Sequence, residues 1–438
     1  MRLVFFLSAA TLCAQDTLPL SLKRAVEIAL APEGSPRVAL AEESIRQSQT
    51  GVAQARAAFL PDIEASVTDQ SETVNLKSFG VSFPLPPGLG LTFPSFVGPF
   101  SVFDARATAT QSVLDFSSIR KYQSSKVAVE ATRADAETTR NQVSDAVARA
   151  YLACLRADAK LETERANVEL SDALLKLSNR QKTAGTGLAI EVTRAQVQLA
   201  NDRQNLIVAE NDRRKAVLQL LRAIGLNLDA RIEFTDKLLY KPVDVGPIEA
   251  ALDKARKERA ELKAQAKREE IARLNYGSVK AERLPSFSAF GNYGAIGSEG
   301  GGALPTRSVG ISLKVPIYDG GRRDARRAES LSQLRQEEIR SRDVKQQVDL
   351  DVRLALDSIR SAASQVETAR EGLALAENEL AQARRRYEGG VANSIEVTDA
   401  QTRLDRARDN QIAALYNYNL ARLDLATATG SIGEYLNQ

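Results

Sequence analysis

The sequence predicts a mainly α-helical chain of two similar halves, each with a pair of β-strands suited to a membrane. The first observation is compositional: Trp and His are absent, and aromatic residues make up 5% of the 438 residues, against 43% hydrophobic and 26% charged. Such a composition is typical of long helices and coiled coils rather than of a thick mixed core. The other two observations are an internal sequence repeat and short segments in which apolar and polar residues alternate.

The composition also excludes several classes of function. Without His, the chain has no imidazole metal site and no Ser-His-Asp triad. The 59 basic and 56 acidic residues are evenly spread, so no basic surface indicates a nucleic acid partner. No Gly-rich phosphate loop leads from a strand into a helix. We therefore predict that the protein is not an enzyme and that it binds no cofactor or metal.

Residues 1–14 are predicted to be a secretory signal peptide, because Arg2 precedes an apolar run that ends at Leu12. Cleavage after Ala14 is favoured, and lipidation of Cys13 is the alternative. The mature chain then contains one cysteine, Cys154, and no internal disulfide. No later segment has 18 uninterrupted apolar residues, so no transmembrane helix is predicted.

The chain contains an internal duplication. Residues 190–196 read IEVTRAQ, and residues 395–401 read IEVTDAQ. Upstream of these motifs lies a second matching pair, Leu60-Pro61 and Leu284-Pro285. The two members of this pair are separated by a longer stretch of chain than the two motifs are. The first half therefore carries an insertion, which we assign to the proline-rich stretch Phe79–Phe100 and interpret as a loop.

Both halves follow the same order of elements: a helix that ends at Leu-Pro, two strands, and a long helical hairpin that begins near an aspartate (Asp115 or Asp319). The predicted segments are the first repeat (15–226), a polar linker (227–247), the second repeat (248–430) and a C-terminal tail (431–438). The predicted strands lie at about 62–72, 102–113, 286–296 and 307–317, and the hairpin tips at about 183–190 and 388–394.

The long helices carry strict heptads. Large side chains recur every seven residues from Val352 to Tyr387, and alanines follow three residues later from Ala355 to Ala383. The returning helix repeats this pattern. So does the first half, where the row of large side chains is Val147, Cys154, Leu161, Val168 and Leu175. A sustained seven-residue period indicates a left-handed supercoil. The position of Cys154 favours a buried small hydrophobe over a reactive thiol.

The predicted strands alternate in polarity with a period of two. Apolar Val309, Ile311 and Leu313 are separated by Gly310 and Ser312. This is the pattern of a membrane barrel wall, and each strand has about the 9–11 residues that cross a bilayer. A soluble hairpin packed on helices is the alternative for one such pair. Four strands cannot close a barrel and open edges are not tolerated in lipid, so a membrane barrel would require several chains.

These features together resemble the TolC-like outer-membrane efflux proteins, the outer membrane factors. The resemblance rests on Leu22–Leu30, the two Leu-Pro strand entries, Asp319-Gly320-Gly321-Arg322, and the two hairpin tips with their Ile-Glu-Val motifs. It implies a homotrimer in which four transmembrane strands per chain form an outer-membrane barrel and the helical hairpins form a large periplasmic tunnel. It further implies a passive exit duct for efflux or type I secretion, in contact with outer-membrane lipid, a periplasmic adaptor and an inner-membrane transporter. The alternative function is a soluble exported coiled-coil scaffold.

The resemblance also assigns roles at the tips. Glu396 and Asp399 share one helix face and match the carboxylates of the family's pore constriction. The alternative is that they merely complement the helix dipole. Glu191 and Tyr387 match the family's gate lock, but the arginine of that lock is replaced by Ala392. Arg194 and Arg384–Arg386 are the candidate substitutes.

The two tips also match the family's adaptor-docking turns. The matching residues are Gly185, Thr186, Gly187, Leu188, Gly390 and Val391. These residues are equally suited to plain helix–helix turns, in which glycine supplies a positive φ. Docking and turn formation are compatible, so both roles are kept as expectations.

Overall fold

The computed structural model describes residues 18–80, 95–298 and 302–437. The predicted signal peptide (1–14), the lipidation alternative at Cys13 and most of the predicted proline-rich loop lie outside these residues. The described chain divides into two compact units. Unit 1 comprises residues 18–45, 132–265 and 341–437, and unit 2 comprises residues 46–80, 95–131, 266–298 and 302–340.

The elements repeat in order along the chain. They are β1 (Leu18–Leu20), α1 (Leu22–Leu30), α2 (Pro36–Ala57), β2 (Asp62–Asn75), β3 (Phe96–Leu114), α3 (Phe116–Thr183), α4 (Ala189–Ile224), β4 (Ile232–Phe234), α5 (Ile248–Glu258), α6 (Ala260–Ala281), β5 (Ser286–Ser298), β6 (Gly302–Lys314), α7 (Arg322–Glu388), α8 (Ser394–Thr429) and α9 (Ile432–Tyr435). The series α2-β2-β3-α3-α4 recurs as α6-β5-β6-α7-α8, which confirms the predicted duplication of strand pairs and helical hairpins. Among the described residues, no helix has both the length and the apolar character needed to cross a membrane.

The long helices begin at the predicted aspartates. The Asp115 carboxylate accepts a hydrogen bond from the Ser117 N–H (2.9 Å), and the Asp319 carboxylate accepts one from the Arg323 N–H (3.1 Å). Each bond satisfies a backbone donor that has no partner within the first helical turn. α3 then continues for 68 residues and α7 for 67 residues.

The heptad seam of the second half is buried as predicted. In unit 1, Ile359 and Val366 of α7 pack in one cluster with Ala414, Tyr418 and Ala421 of α8. Alanine in one row lets the two helices approach closely, while the large side chains fill the seam. The heptad prediction is therefore confirmed for α7 and α8.

In α3 the predicted heptad row is followed over only part of the helix. Val147, Cys154 and Leu161 are buried, whereas Val168 and Leu175 are half-buried. Polar residues take the buried positions towards the hairpin tip, and they are Glu164, Asn167, Ser171 and Ser178. The seam prediction is wrong for this stretch because these polar side chains take the fully buried positions, while the aliphatic residues that pack against α7 and α8 there are Leu170, Leu174 and Leu177.

Two segments that were predicted as connections, the linker and the C-terminal tail, contribute to the core of unit 1. β4 lies within the predicted linker 227–247 and pairs in parallel with β1. The Tyr151 hydroxyl donates to the Leu20 carbonyl (2.9 Å) and lies 2.8 Å from the Asp236 carboxylate. α9 lies within the predicted tail, and its Tyr435 is buried in the same core.

Cys154 is fully buried in this core. Desolvation, together with the negative charge of Asp158, raises the pKa of its thiol to about 12. A thiol that stays protonated is a poor nucleophile. The interpretation of Cys154 as a buried small hydrophobe is confirmed.

Unit 2 contains a four-stranded antiparallel sheet in the order β2-β3-β5-β6. In an antiparallel pair, residues that lie opposite each other project from the same face. The register places Glu64, Thr108, Asn292 and Ser308 side by side on one face. It places the following residues on the other face: Ile63, Ala65, Val67, Ala105, Ala107, Ala109, Ala289, Tyr293, Val309, Ile311 and Leu313. One face is therefore mainly polar and the other mainly apolar.

The observed strand bounds differ from the expected ones at several ends: β2 and β5 continue to Asn75 and Ser298, and β6 begins at Gly302. β6 ends at Lys314 rather than near residue 317, and Pro316, which has no N–H to donate, lies just beyond its end. β3 starts at Phe96, so the last residues of the predicted Phe79–Phe100 loop are strand. β6 also includes Pro305, which is tolerated because β6 is an edge strand.

Candidate pore constriction and docking tips

Tip 1 is the turn between α3 and α4. Gly185 adopts a φ of 74°, and its N–H bonds to the Lys182 carbonyl (3.1 Å). The N–H groups of Thr186 and Gly187 both bond to the Gln181 carbonyl (3.0 Å each). These bonds satisfy carbonyls at the end of α3, so the Gly-Thr-Gly sequence is explained by the turn itself.

Tip 2 is the turn between α7 and α8. Gly390 adopts a φ of 69°, and the Val391 N–H bonds to the Arg386 carbonyl (2.9 Å). The Asn393 side chain caps α8 by accepting from the N–H groups of Ile395 (3.1 Å) and Glu396 (3.3 Å). The two tips are therefore built alike. In each, a glycine with a positive φ ends one helix, and the next helix begins within a few residues.

Both tips expose apolar side chains. Leu188 and Ile190 of tip 1 are 67% and 50% exposed, and Val391 and Ile395 of tip 2 are 76% and 44% exposed. Gly185 and Thr186 are also exposed. The geometry of the two turns alone does not require four exposed large apolar side chains.

The two predicted pore carboxylates have different surroundings. Glu396 is half-buried and forms an ion pair with Arg386 across tip 2 (Nε to Oε1, 3.4 Å). Asp399 lies one turn further along α8 and is exposed. Since Asn393 provides the side-chain cap of α8, neither carboxylate is needed for capping. Both charges nevertheless lie near the positive end of the helix dipole, which is the alternative role given to them above.

Tyr387 is buried between the two hairpins. It is 4% exposed and packs in a cluster with Leu380, Val397 and Leu404. Its hydroxyl lies 3.2 Å from Ser178 Oγ of α3, within hydrogen-bond distance. Desolvation raises the pKa of Tyr387, and the negative charge of nearby Glu191 raises it further.

Glu191 lies at the start of α4 and points back to tip 1. Its carboxylate accepts a hydrogen bond from the Leu188 N–H (3.2 Å). Together with Arg194, Tyr387 and Ser178, Glu191 lines a small cavity of about 20 Å³ between the hairpins. The structure thus brings Glu191 and Tyr387 to one cavity, and it gives each of them a hydrogen-bond partner that the sequence analysis did not name.

Several residues that shape the tips are not apparent from the sequence. Ser178 was overlooked because a serine in a long helix gives no signal of an interhelical hydrogen bond. Asn393 was recognisable as a helix cap from its position before α8. Arg386 was named within a candidate group of three arginines, and its partner is Glu396 rather than Glu191.

Comparison with known proteins identifies the family. The family model described as "Outer membrane efflux protein" matches residues 28–226 and 251–431. The chain is 24% identical to the outer membrane protein TolC of Escherichia coli K12 over 404 residues, which cover 85% of this chain and 80% of that protein. It is also 24% identical to the alkaline protease secretion protein AprF of Pseudomonas aeruginosa over 340 residues, or 74% and 69% of the two chains.

A solved structure shares the fold. The outer membrane protein VceC of Vibrio cholerae superposes with a TM-score of 0.77 at 18% identity, and the match covers 93% of this chain and 96% of that one. At this identity the structural similarity indicates the fold alone. The family model, which spans both repeats, shows the family to which the chain belongs. The chain belongs to the outer membrane efflux protein family, so it is an outer-membrane transport protein and not an enzyme, as the sequence predicted.

Proposed function

We propose that this chain is one protomer of a trimeric outer-membrane duct, the passive exit path of a tripartite efflux or type I secretion system. The observation that carries the proposal is the two-faced sheet of unit 2. On its apolar face Val309 is 89% exposed and Ile311 is 79% exposed. Such a surface is unfavourable in water and suits lipid, while the polar face suits a water-filled lumen. It therefore favours the duct over a soluble coiled-coil scaffold.

The open edges of the sheet support an oligomer. β2 and β6 are its edge strands, with backbone groups that have no neighbouring strand in the described chain. An unpaired edge is very costly in lipid, so β6 of one protomer would pair with β2 of the next. Family resemblance supports three copies. The same resemblance supports our assignment of 15–226 and 248–430 as the two repeats, joined by 227–247.

The helical hairpins would form the periplasmic tunnel, with the tips at its closed end. Three-fold symmetry would bring Glu396 and Asp399 of three chains around one opening. Carboxylates in a constriction attract cations. Tyr387 and Glu191 would hold the hairpins together there, with Ser178 as the partner of the Tyr387 hydroxyl.

The exposed tips would receive the periplasmic adaptor. Leu188 and Val391 offer apolar contacts, and Gly185 and Gly390 border open space, so they leave the backbone accessible beside Thr186 and Gly187. The adaptor would link the duct to an inner-membrane transporter, which supplies the energy. The family is described by efflux and one relative is named for protease secretion, so the cargo class is left at export.

Two measurements test the duct. Mass determination in detergent should give three copies per particle, and a stable monomer in the membrane fraction would refute the oligomeric barrel. In planar bilayers, the double variant Glu396→Gln with Asp399→Asn should lower cation selectivity and weaken block by trivalent cations, because it keeps the shape and removes the charge. The matched control is Asp357→Asn, an exposed carboxylate on α7 far from the tips in sequence. Unchanged selectivity in the double variant would mean that these carboxylates do not face the pore.

A further inference from the structure

A layer of polar side chains is buried between α3, α4 and α8 in unit 1. Gln401 is fully buried, and Glu164 and Asp202 are each 2% exposed. Ser171 is buried beside them and Asp405 is half-buried. We call these five residues the polar layer. Buried carboxylates are rare unless they are paired, so this layer requires an explanation.

Hydrogen bonds connect three helices through the polar layer. The Ser171 hydroxyl of α3 donates to Asp202 of α4. Gln401 Nε2 of α8 donates to Ser171 Oγ (2.7 Å) and also approaches Asp202 Oδ2 (3.5 Å). Gln198 donates to the second oxygen of Asp202 (3.0 Å). The Asp202 carboxylate is therefore well supplied with donors.

Two acceptor atoms in the polar layer have no hydrogen-bond partner: Gln401 Oε1 and Asp405 Oδ1. They belong to residues four apart on α8, which lie one helical turn apart on the same face. Both atoms are acceptors when Asp405 is ionised, so they cannot bond to each other. Ser171 cannot help either, because its single proton is already donated to Asp202.

Electrostatics disfavours a third charge in the same place. The charged groups that face Asp405 are Glu164 and, through it, Lys160 on α3, Asp202 on α4, and Arg408 and Asp409 on α8. Desolvation, followed by the negative charges of Asp202 and Glu164, raises the pKa of Asp405 to about 6. Arg408 acts in the opposite direction but does not cancel them. Desolvation also raises the pKa of Asp202.

We propose that the polar layer is a proton-binding site, which takes up one proton when α8 packs against α3 and α4. A proton on Asp405 turns its carboxyl group into a donor for Gln401 Oε1, which satisfies both unpartnered atoms. A proton on Asp202 satisfies the same two atoms by reversing the direction of the hydrogen bonds. Asp202 then donates to Ser171, and Ser171 donates to Gln401. The rotated Gln401 amide in turn donates to Asp405. The proton belongs to the coupled pair rather than to one residue.

The direction of the pH effect follows from linkage. The packed state holds the proton more tightly than the unfolded chain, where Asp405 would titrate near the ordinary aspartate pKa of 3.8. Stability from this site is therefore gained as the pH falls through about 6, and it is absent well above that value. Between about pH 8 and about pH 5, the equilibrium for packing should increase about tenfold. This site depends only on the packing of unit 1 and not on the proposed duct.

The experiment compares thermal midpoints of the full-length protein in detergent from about pH 5 to about pH 8. Asp405→Asn and Asp202→Asn each provide a permanent amide donor in place of the proton. Asp212→Asn is the control, since Asp212 is an exposed carboxylate on α4 paired with Lys215. We expect both layer variants to lose the gain in stability on acidification that wild type and the control show.

Infrared spectroscopy gives a second readout. At about pH 5, wild type and Asp212→Asn should show the carbonyl band of a protonated carboxylic acid, and each layer variant should lose it. If both layer variants keep the wild-type pH slope and the band, the polar layer binds no proton and the proposal is wrong. If either variant fails to fold, the other provides the same comparison, because one donor at either position is sufficient.

Discussion

Replacing Ala376 with leucine should destabilise the seam between α7 and α8. Ala376 is 7% exposed and packs in a cluster with Leu380, Val397 and Leu404. Leucine adds three carbon atoms where the alanine row allows the helices to approach. Overpacking of this kind costs about 1–3 kcal/mol. At roughly 2–4 °C per kcal/mol for a domain of 150–250 residues, the thermal midpoint should fall by several degrees.

The control for this prediction lies two residues away. Ala374 is exposed on the same helix, so Ala374→Leu makes the same chemical change outside the seam. Its effect should stay within about 0.5 kcal/mol. Both variants are compared by circular dichroism at one scan rate, because the midpoint of an irreversible transition depends on that rate. Equal midpoints for Ala376→Leu and Ala374→Leu would refute the assignment of Ala376 to the seam.

Two further predictions concern single contacts. Tyr387→Phe removes the hydroxyl that lies 3.2 Å from Ser178 Oγ and should cost about 0.5–1.5 kcal/mol; in a double-mutant cycle with Ser178→Ala, a coupling energy near zero would show that the two hydroxyls do not interact. Gly310→Val should disturb the polar face of the sheet, because a Cβ at Gly310 would lie 2.6 Å from Phe290 Cζ. The folded yield in detergent should fall relative to Ser312→Val on the same strand and face, and equal yields would contradict the contact.

The sequence was most informative where structure depends on a local period. The heptads of α7 and α8 predicted a seam that is buried from Val352 to Tyr387 apart from the half-buried Ala369 and Leu373, because a seven-residue period determines which side of a helix faces its partner. The alternation along β6 likewise predicted its apolar face. Pro305 was left out of that strand because the edge position that tolerates it depends on the order of strands in the sheet.

The sequence was least informative where polar residues meet across the fold. Gln401 bonds to Ser171, which is 230 residues away in the chain, and no periodicity predicts that pairing. Polar residues in long helices are usually on the surface, so Asp202 and Gln401 gave no sign of burial. Val168 and Leu175 matched the heptad in sequence, yet the side chains buried near them are Glu164 and Ser171. Long-range polar contacts of this kind become visible only when the helices are placed side by side.

At tip 2, Arg386 provides the positive charge that pairs with Glu396. The family resemblance places Ala392 at the position of the arginine of the family's gate lock, and the guanidinium that meets a carboxylate at tip 2 comes from Arg386 at the end of α7. The two side chains are 58% and 40% exposed, and an ion pair with that much solvent contributes about 0–1 kcal/mol. Such a pair compensates Glu396 in this arrangement but breaks at little cost. In the proposed duct, Asp399 would then provide the standing negative charge, and Glu396 would add to it only when Arg386 moves away.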